Sequence, residues 1–313
     1  MPAILNKPLK FWLNLLIYLA FIFLIWMLVK FDYFSLKGLK INILYLILSL
    51  LFLFTGYLFI PMAWQNILRH HRINVSYKES VVSEGKPIFA KYLPGKFMVL
   101  IGRAGYISLK GAPLTQTSII SFKAQMISLI VNLLIGSVVV FVLPVTVTEM
   151  IVWIGLTLSI LLILFIRPVH NLAVRLVKTI FRSSATVNFI NIRESLLAGF
   201  WYVAAYFFWG LGFTFLCFSI SGKLMAVDIP LFSLATSVSI IAFIFPGGLG
   251  IREGTLVYFL VKSGLSPELS ATISVLSRLW FLCGEIFYFA LAFFLEKRLK
   301  NLSGKSMNDL NDN

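Results

Sequence analysis

Apolar residues run along this chain in blocks that a soluble core does not need. They fill residues 11–29, 41–64, 122–143, 151–166, 199–220 and 276–295, and about 20 predominantly apolar residues carry a helix across a bilayer's hydrocarbon core. Helices are the expected form, because an open strand edge would leave backbone groups that lipid cannot satisfy. The pattern predicts six full spans. Two further stretches are hydrophobic but broken: residues 91–111, interrupted by Pro94, Gly95, Lys96 and Arg103, and residues 231–261, interrupted by PGGLGIREG at 246–254. Each is either a helical pair or a re-entrant element, and counting both gives eight spans. The expected fold is an all-α polytopic membrane protein with one transmembrane domain over residues 1–300. The ending SGKSMNDLNDN, within 301–313, reads as a disordered cytoplasmic tail.

Composition agrees. Hydrophobic residues make up 59% and charged residues 12% of the 313, against roughly 45–50% and about 25% in soluble domains. Lys7 and Lys10 precede the run at 11–29, which is too long for a signal-peptide core and is followed by FDYFSLKG with no small-residue cleavage pattern, so an uncleaved first span is expected. Cys217 and Cys283 lie in apolar runs far from any CxxC or histidine partner, which indicates neither a zinc site nor a disulfide framework.

The net charge of +15 reports topology here rather than a nucleic-acid partner. With the N-terminus, residues 69–123, residues 167–193 and the C-terminus in the cytoplasm, 20 of the 27 Lys and Arg lie inside, 4 outside and 3 within 252–278, as the positive-inside rule requires. Lys30, Lys37 and Lys40 are local exceptions. This places the chain in a cytoplasmic (cell) membrane with both termini inside. Residues 1–147 then begin inside and 148–300 outside, so the two parts form a candidate inverted repeat, each with a Pro-Gly break followed by an arginine. Paired broken segments of this kind mark transporter binding sites. The connector's Arg175, Lys178 and Arg182 either lie on the anionic inner leaflet or simply set topology.

The stretch FPGGLGIREGTLVYF at 245–259 is the most informative. Pro246, Gly247, Gly248 and Gly250 at membrane depth do not favour a continuous helix. The backbone N–H groups where a helix begins near Ile251, together with Arg252, would suit a phosphate or carboxylate. Glu253 pairs with Arg252, Arg103 or Arg278, or meets a cationic headgroup. The bland alternative is a tight helix crossing through small residues with a capped ion pair. In 91–111 the same reasoning applies to Pro94, Gly95 and Arg103; Lys91 reads as an interfacial anchor, and Lys96 as anchor or ligand. Arg278 and Glu285, seven apart on one helical face, point inward, with Glu285 either neutralising a neighbouring charge or acting directly. Trp12, Trp26, Trp64, Trp201 and Trp280 fall near span ends, as aromatic belts do, and His70, His71 and His170 read as interfacial.

Several chemistries lack their motifs. The sequence has no GxxxxGK[ST] loop, HExxH, GxSxG elbow or clustered Asp pair, so no cofactor, metal or catalytic residue is assigned.

YLPGK at 92–96, Arg103 with the following Gly111, and FPGGLGIREG at 245–254 together resemble the lysylphosphatidylglycerol synthase transmembrane-region family of flippase-like proteins, over roughly residues 10–298. In that family the region is the membrane part of multiple peptide resistance factors and is held to move aminoacylated phosphatidylglycerol between leaflets. Longer members add a cytoplasmic aminoacyl-transferase domain, which this sequence lacks. The resemblance implies site positions at Pro94, Gly95, Arg103, Pro246, Gly247, Gly248, Leu249, Gly250, Arg252 and Glu253. The expected function is lipid translocation, with a phosphate-bearing lipid as substrate and the membrane as environment. The alternatives are a membrane-embedded transferase, an accessory subunit presenting lipid to a separate lipid-modifying synthase, and a structural scaffold.

Overall fold

The structure, a computed structural model, describes residues 41–92, 97–168, 171, 192–242 and 250–311. The run at 11–29, the motif residues Pro94, Gly95, Lys96, Pro246, Gly247, Gly248 and Leu249, and the connector residues Arg175, Lys178 and Arg182 lie outside the described residues.

Among the described residues there are nine α-helices, one 3-10 turn and no strand. In chain order they are α1 (Ile43–His70), α2 (Tyr77–Gly85), the 3-10 turn Ile88–Tyr92, α3 (Phe97–Ser108), α4 (Leu114–Val142), α5 (Val147–Phe165), α6 (Ile192–Ser221), α7 (Asp228–Ile241), α8 (Ile251–Lys262) and α9 (Pro267–Asn311). Helices α1, α4, α6 and the Pro267–Leu299 part of α9 are long and apolar enough to cross a membrane. The protein is therefore an all-α, multi-pass membrane protein, as the apolar blocks predict. The run at 151–166 forms most of α5. The backbone of α9 continues as helix to Asn311, through residues read from sequence as a disordered tail.

Local chemistry starts the helices where they start. Asn42 caps α1 by accepting the Leu44 N–H at 3.1 Å. Ser76 with Glu79, and Thr146 with Glu149, form reciprocal capping boxes at α2 and α5, satisfying amides that have no intrahelical partner.

The contacts set helix directions. At one end of the bundle, the Asn42 N–H donates to the Ser219 carbonyl at 2.8 Å. At the other, His71 Nε2 lies 3.0 Å from Glu194 Oε1, so α1 and α6 run antiparallel. Lys123 of α4 adjoins Glu194, and further along both helices the Ser128 hydroxyl meets that of Tyr206, which sets α4 parallel to α6. Near the His71 end, Lys86 after α2 pairs with Glu296 of α9 at 3.0 Å.

This frame decides what the broken elements are. The chain leaves α2 at the His71 end, and the 3-10 turn carries Tyr92 inward to Glu285. Glu285 is eleven residues before Glu296 on α9, about 16 Å along a helix axis. Helix α3 then returns, and Lys110 beyond it pairs with Glu79 of α2. The second element mirrors this from the other end. Asp228 opens α7 beside the end of α6, and α8 returns so that Lys262 meets Glu149 in the first turn of α5 at 2.8 Å. Each broken element re-enters, and the two penetrate from opposite ends.

Small residues allow the close crossings on which this depends. A Cβ built on Gly136 of α4 would lie 2.7 Å from the Leu234 Cα and 2.9 Å from its backbone nitrogen, so α7 packs directly on the α4 backbone. Gly136→Ala is expected to push α7 off α4 and destabilise the protein by about 1–3 kcal/mol, read as a lower melting temperature in detergent or nanodiscs. The Lys262 tie, joined by the Tyr258 hydroxyl, holds the Glu149 carboxyl well below the usual carboxylate range, at about 2. The depressed value means that the mooring is complete above the ordinary carboxylate range and is lost as pH falls toward 2. Glu149→Gln should abolish this acid-dependent loosening of α8, measured by hydrogen exchange at the end of α8.

Candidate functional site

Two re-entrant elements arriving from opposite ends leave a space between them. A cavity of about 540 Å³ lies there, with walls drawn from both elements and from α1, α4, α6 and α9. That volume suits a small ligand or lipid headgroup. Four cations line it: Lys91 from the 3-10 turn, Arg103 from α3, Arg252 from α8 and Arg278 from α9.

The 3-10 turn brings two donors to one acid. Glu285 is fully buried, accepts the Tyr92 hydroxyl at 2.7 Å and pairs with Lys91. A buried carboxylate needs such donors, since an unpaired charge in an apolar interior is very costly. The Lys91 ammonium also sits 5.1 Å from the Phe281 ring centre. Lys91 thus points into the bundle, which corrects its reading as an interfacial anchor; the attraction of Glu285, 194 residues away, outweighs the pull of the interface.

Arg103 is held on every side. Its Nη1 donates to Glu84 at 2.8 Å, its Nε to the Ser121 hydroxyl at 3.0 Å and its Nη2 to the Ser121 carbonyl at 2.6 Å. The guanidinium plane lies 4.3 Å from the Trp64 ring centre, and Trp64 in turn donates to Ser83 at 3.0 Å. Trp64 is fully buried, so it is a support for Arg103 and not part of an aromatic belt. Trp280, only 3% exposed, is likewise a core residue.

Helix α8 begins at Gly250, whose φ of +78° suits glycine. Glu253 Oε2 accepts the Gly250 N–H at 2.9 Å, so the chain's own carboxylate occupies part of the helix start that the sequence reading reserved for a phosphate. Its other oxygen lies 3.5 Å from Arg278 Nη1 and 4.0 Å from Arg252 Nη1. These are loose pairings compared with the 2.8 Å bond at Arg103. Arg252 is 6% exposed, packs over Phe232 and Phe281 at 5.1 and 5.7 Å, and has no partner for its Nη2 among the described residues.

Charges therefore gather by function. Among the described residues, Lys91, Arg103, Arg252 and Arg278 face Glu84, Glu253 and Glu285, four cations to three acids in surroundings that penalise an unpaired charge. Such a site is suited to an anion. The cavity is also lined from α3 and α4 by Val99, Leu100, Phe122, Met126 and Leu129, and Phe122, being 36% exposed, joins this apolar wall to the lipid-facing surface.

The structure gathers Arg103, Arg252, Glu253, Arg278 and Glu285, all singled out in the sequence, around one cavity or its immediate border. Glu253 of α8 and Glu285 of α9 border the same site. Sequence reasoning missed Glu84, Tyr92 and Trp64. Glu84 sits in a polar helix, Tyr92 opens a weak motif, and nothing local marks either as a partner of a distant charge. Among the described residues no group of three or more His, Cys, Asp and Glu is placed to hold a metal.

Removing the Glu84 charge leaves the Arg103 guanidinium buried and uncompensated. Glu84→Gln should cost about 3–5 kcal/mol, with part recovered in the Glu84→Gln, Arg103→Gln double variant; thermal unfolding of the single and double variants measures this coupling. Compared with family models, curated proteins and solved structures, the chain matches none.

Proposed function

We propose that the protein is a lipid translocase that passes a phosphate-bearing headgroup between leaflets through this cavity, leaving the acyl chains in lipid. The observation that carries this reading is Arg252: a buried guanidinium whose Nη2 has no partner among the described residues, on a cavity where cations from both re-entrant elements converge. A headgroup charge crossing bare hydrocarbon is expensive, and a cavity of charged donors replaces its lost water. The apolar wall of α3 and α4, reaching lipid at Phe122, gives the acyl chains a side exit. Re-entry from opposite ends fits alternating exposure of one central site, and the resemblance to the flippase-like family points to the same class.

In this reading Arg252 and Arg278 bind the phosphate, and Glu253 is the internal anion that yields them. Arg103, each of whose three guanidinium nitrogens donates within the protein, shapes the wall. Orientation follows the basic residues: the His71 end faces the cytoplasm. With no nucleotide-binding motif, direction comes from lipid gradients or from the membrane potential, worth about 2.3 kcal/mol per elementary charge per 100 mV.

The test is leaflet exchange in phosphatidylcholine liposomes carrying trace headgroup-labelled phosphatidylglycerol, phosphatidylethanolamine or phosphatidic acid, scored by quenching from outside. The wild type should expose label beyond the protein-free fraction. Arg252→Ala should reduce the rate at least tenfold with an unchanged melting temperature, while Arg103→Ala should lower both rate and stability. Full activity in Arg252→Ala would overturn the site; absence of exchange for every lipid would favour a subunit that presents lipid to a separate synthase.

A further inference from the structure

Asp228 is fully buried at the start of α7, and neither carboxylate oxygen has a hydrogen-bond partner among the described residues. An ionised carboxylate in that position would bear the whole cost of lost hydration, so the site favours a carboxyl that keeps its proton. Intramembrane acids of this kind commonly belong to proton relays.

Its position ties it to the cavity. Helical spacing puts Asp228 on one face of α7 with Phe232, Ala235 and Ser239, and Phe232 and Ser239 line the cavity. Phe232, one turn along, carries Arg252 on its ring face. In the other direction, Lys223, Leu224 and Ala226 of the preceding loop are exposed. The carboxyl thus sits between a solvent-facing loop and the residue that packs against the anion-binding arginine.

The groups around α7 are few. From α6 the Cys217 thiol faces Asp228. Helix α8 contributes Arg252, at Phe232. The one charged residue of α4, Lys123, belongs with Glu194 near the start of that helix, while α4 meets α7 at Gly136. From α9, Trp280 and Phe281 pack on Phe232, and Arg278 and Glu285 stay with the cavity. Nothing among these supplies Asp228 with a compensating charge.

We propose that Asp228 is a proton-binding site that couples movement of an anionic headgroup to movement of a proton. The carboxyl O–H gives its proton to water at the 222–227 loop when α7 shifts, leaving a carboxylate, and takes one from water on the cavity side, past Phe232 and Ser239, before α7 repacks, so that one proton crosses with each headgroup. Because α7 also carries Phe232, the same shift alters the packing on Arg252. One proton travelling with a monoanionic headgroup makes the exchange electroneutral. The coupling rests on the translocase reading; the proton site does not.

Two measurements separate them. Infrared spectroscopy of the purified protein in liposomes should show a protonated-carboxyl band near neutral pH that is lost in Asp228→Asn; no difference between the two across the pH range would overturn the proton site. In phosphatidylcholine liposomes with trace labelled phosphatidylglycerol, a gradient of one pH unit should shift the label's leaflet ratio by up to about tenfold for one proton per lipid. Asp228→Asn should exchange label but leave the ratio unshifted, and Asp228→Glu should keep the response. Exchange by wild type that ignores the gradient, or a gradient response surviving in a folded Asp228→Asn, would overturn the coupling. Absence of exchange by the wild type would instead remove the translocase reading and the coupling with it, and the infrared band would still decide the proton site.

Discussion

The ion pair of Lys91 with Glu285 joins segments that the chain keeps 194 residues apart, that of Arg103 with Glu84 closes the first re-entrant element on itself, and much of the interior follows from the need to make both. A charge inside an apolar bundle is tolerated only with a partner of opposite sign and with hydrogen bonds on its remaining donors. Arg103 meets that condition with Glu84, both polar oxygens of Ser121 and the face of Trp64. Lys91 meets it by following the 3-10 turn inward to an acid near the middle of α9. These demands fix where the first re-entrant element ends its descent and so shape one side of the cavity.

The second element is held differently, and the difference bears on function. Gly136 lets α7 lie on the α4 backbone, and Lys262 moors α8 to Glu149 at the far end, but Glu253 at the start of α8 reaches Arg278 and Arg252 only at 3.5 and 4.0 Å. Glu253 divides itself between the start of α8 and two arginines. Among the described residues Arg252 keeps an unpartnered Nη2 on this side, whereas each guanidinium nitrogen of Arg103 donates on the other, the asymmetry on which the proposed anion binding rests. A fully satisfied cluster would hold the bundle together and bind nothing; a fully unsatisfied one would be too costly to bury.

The helical, membrane-spanning character of the chain was legible in the residues themselves. Apolar blocks of spanning length leave no other way to satisfy the backbone in lipid, and the two breaks announce themselves through proline and glycine. The candidate arginines were legible for a related reason: Arg252 and Arg278 stand in otherwise apolar segments, where a charge is rarely idle. Lys91 was misread because a lysine near an apolar boundary looks the same whether it snorkels to the interface or turns inward. Trp64 was misread for the same reason, since a tryptophan near a span end is usual at the headgroups and only its neighbours reveal otherwise.

The sequence by itself determined the solvent this protein lives in, its helical class and the short list of charges that lipid would not tolerate unpaired, because hydrophobic run length and charge are properties of local segments. Only the tertiary structure decided which charges partner one another, that both broken elements re-enter, and that Asp228 lies buried with no donor among the described residues. Pairings such as Lys91 with Glu285 span 194 residues, and burial of a single carboxylate depends on what packs over it. Both are set by the meeting of distant helices, and no periodicity along the chain encodes that meeting.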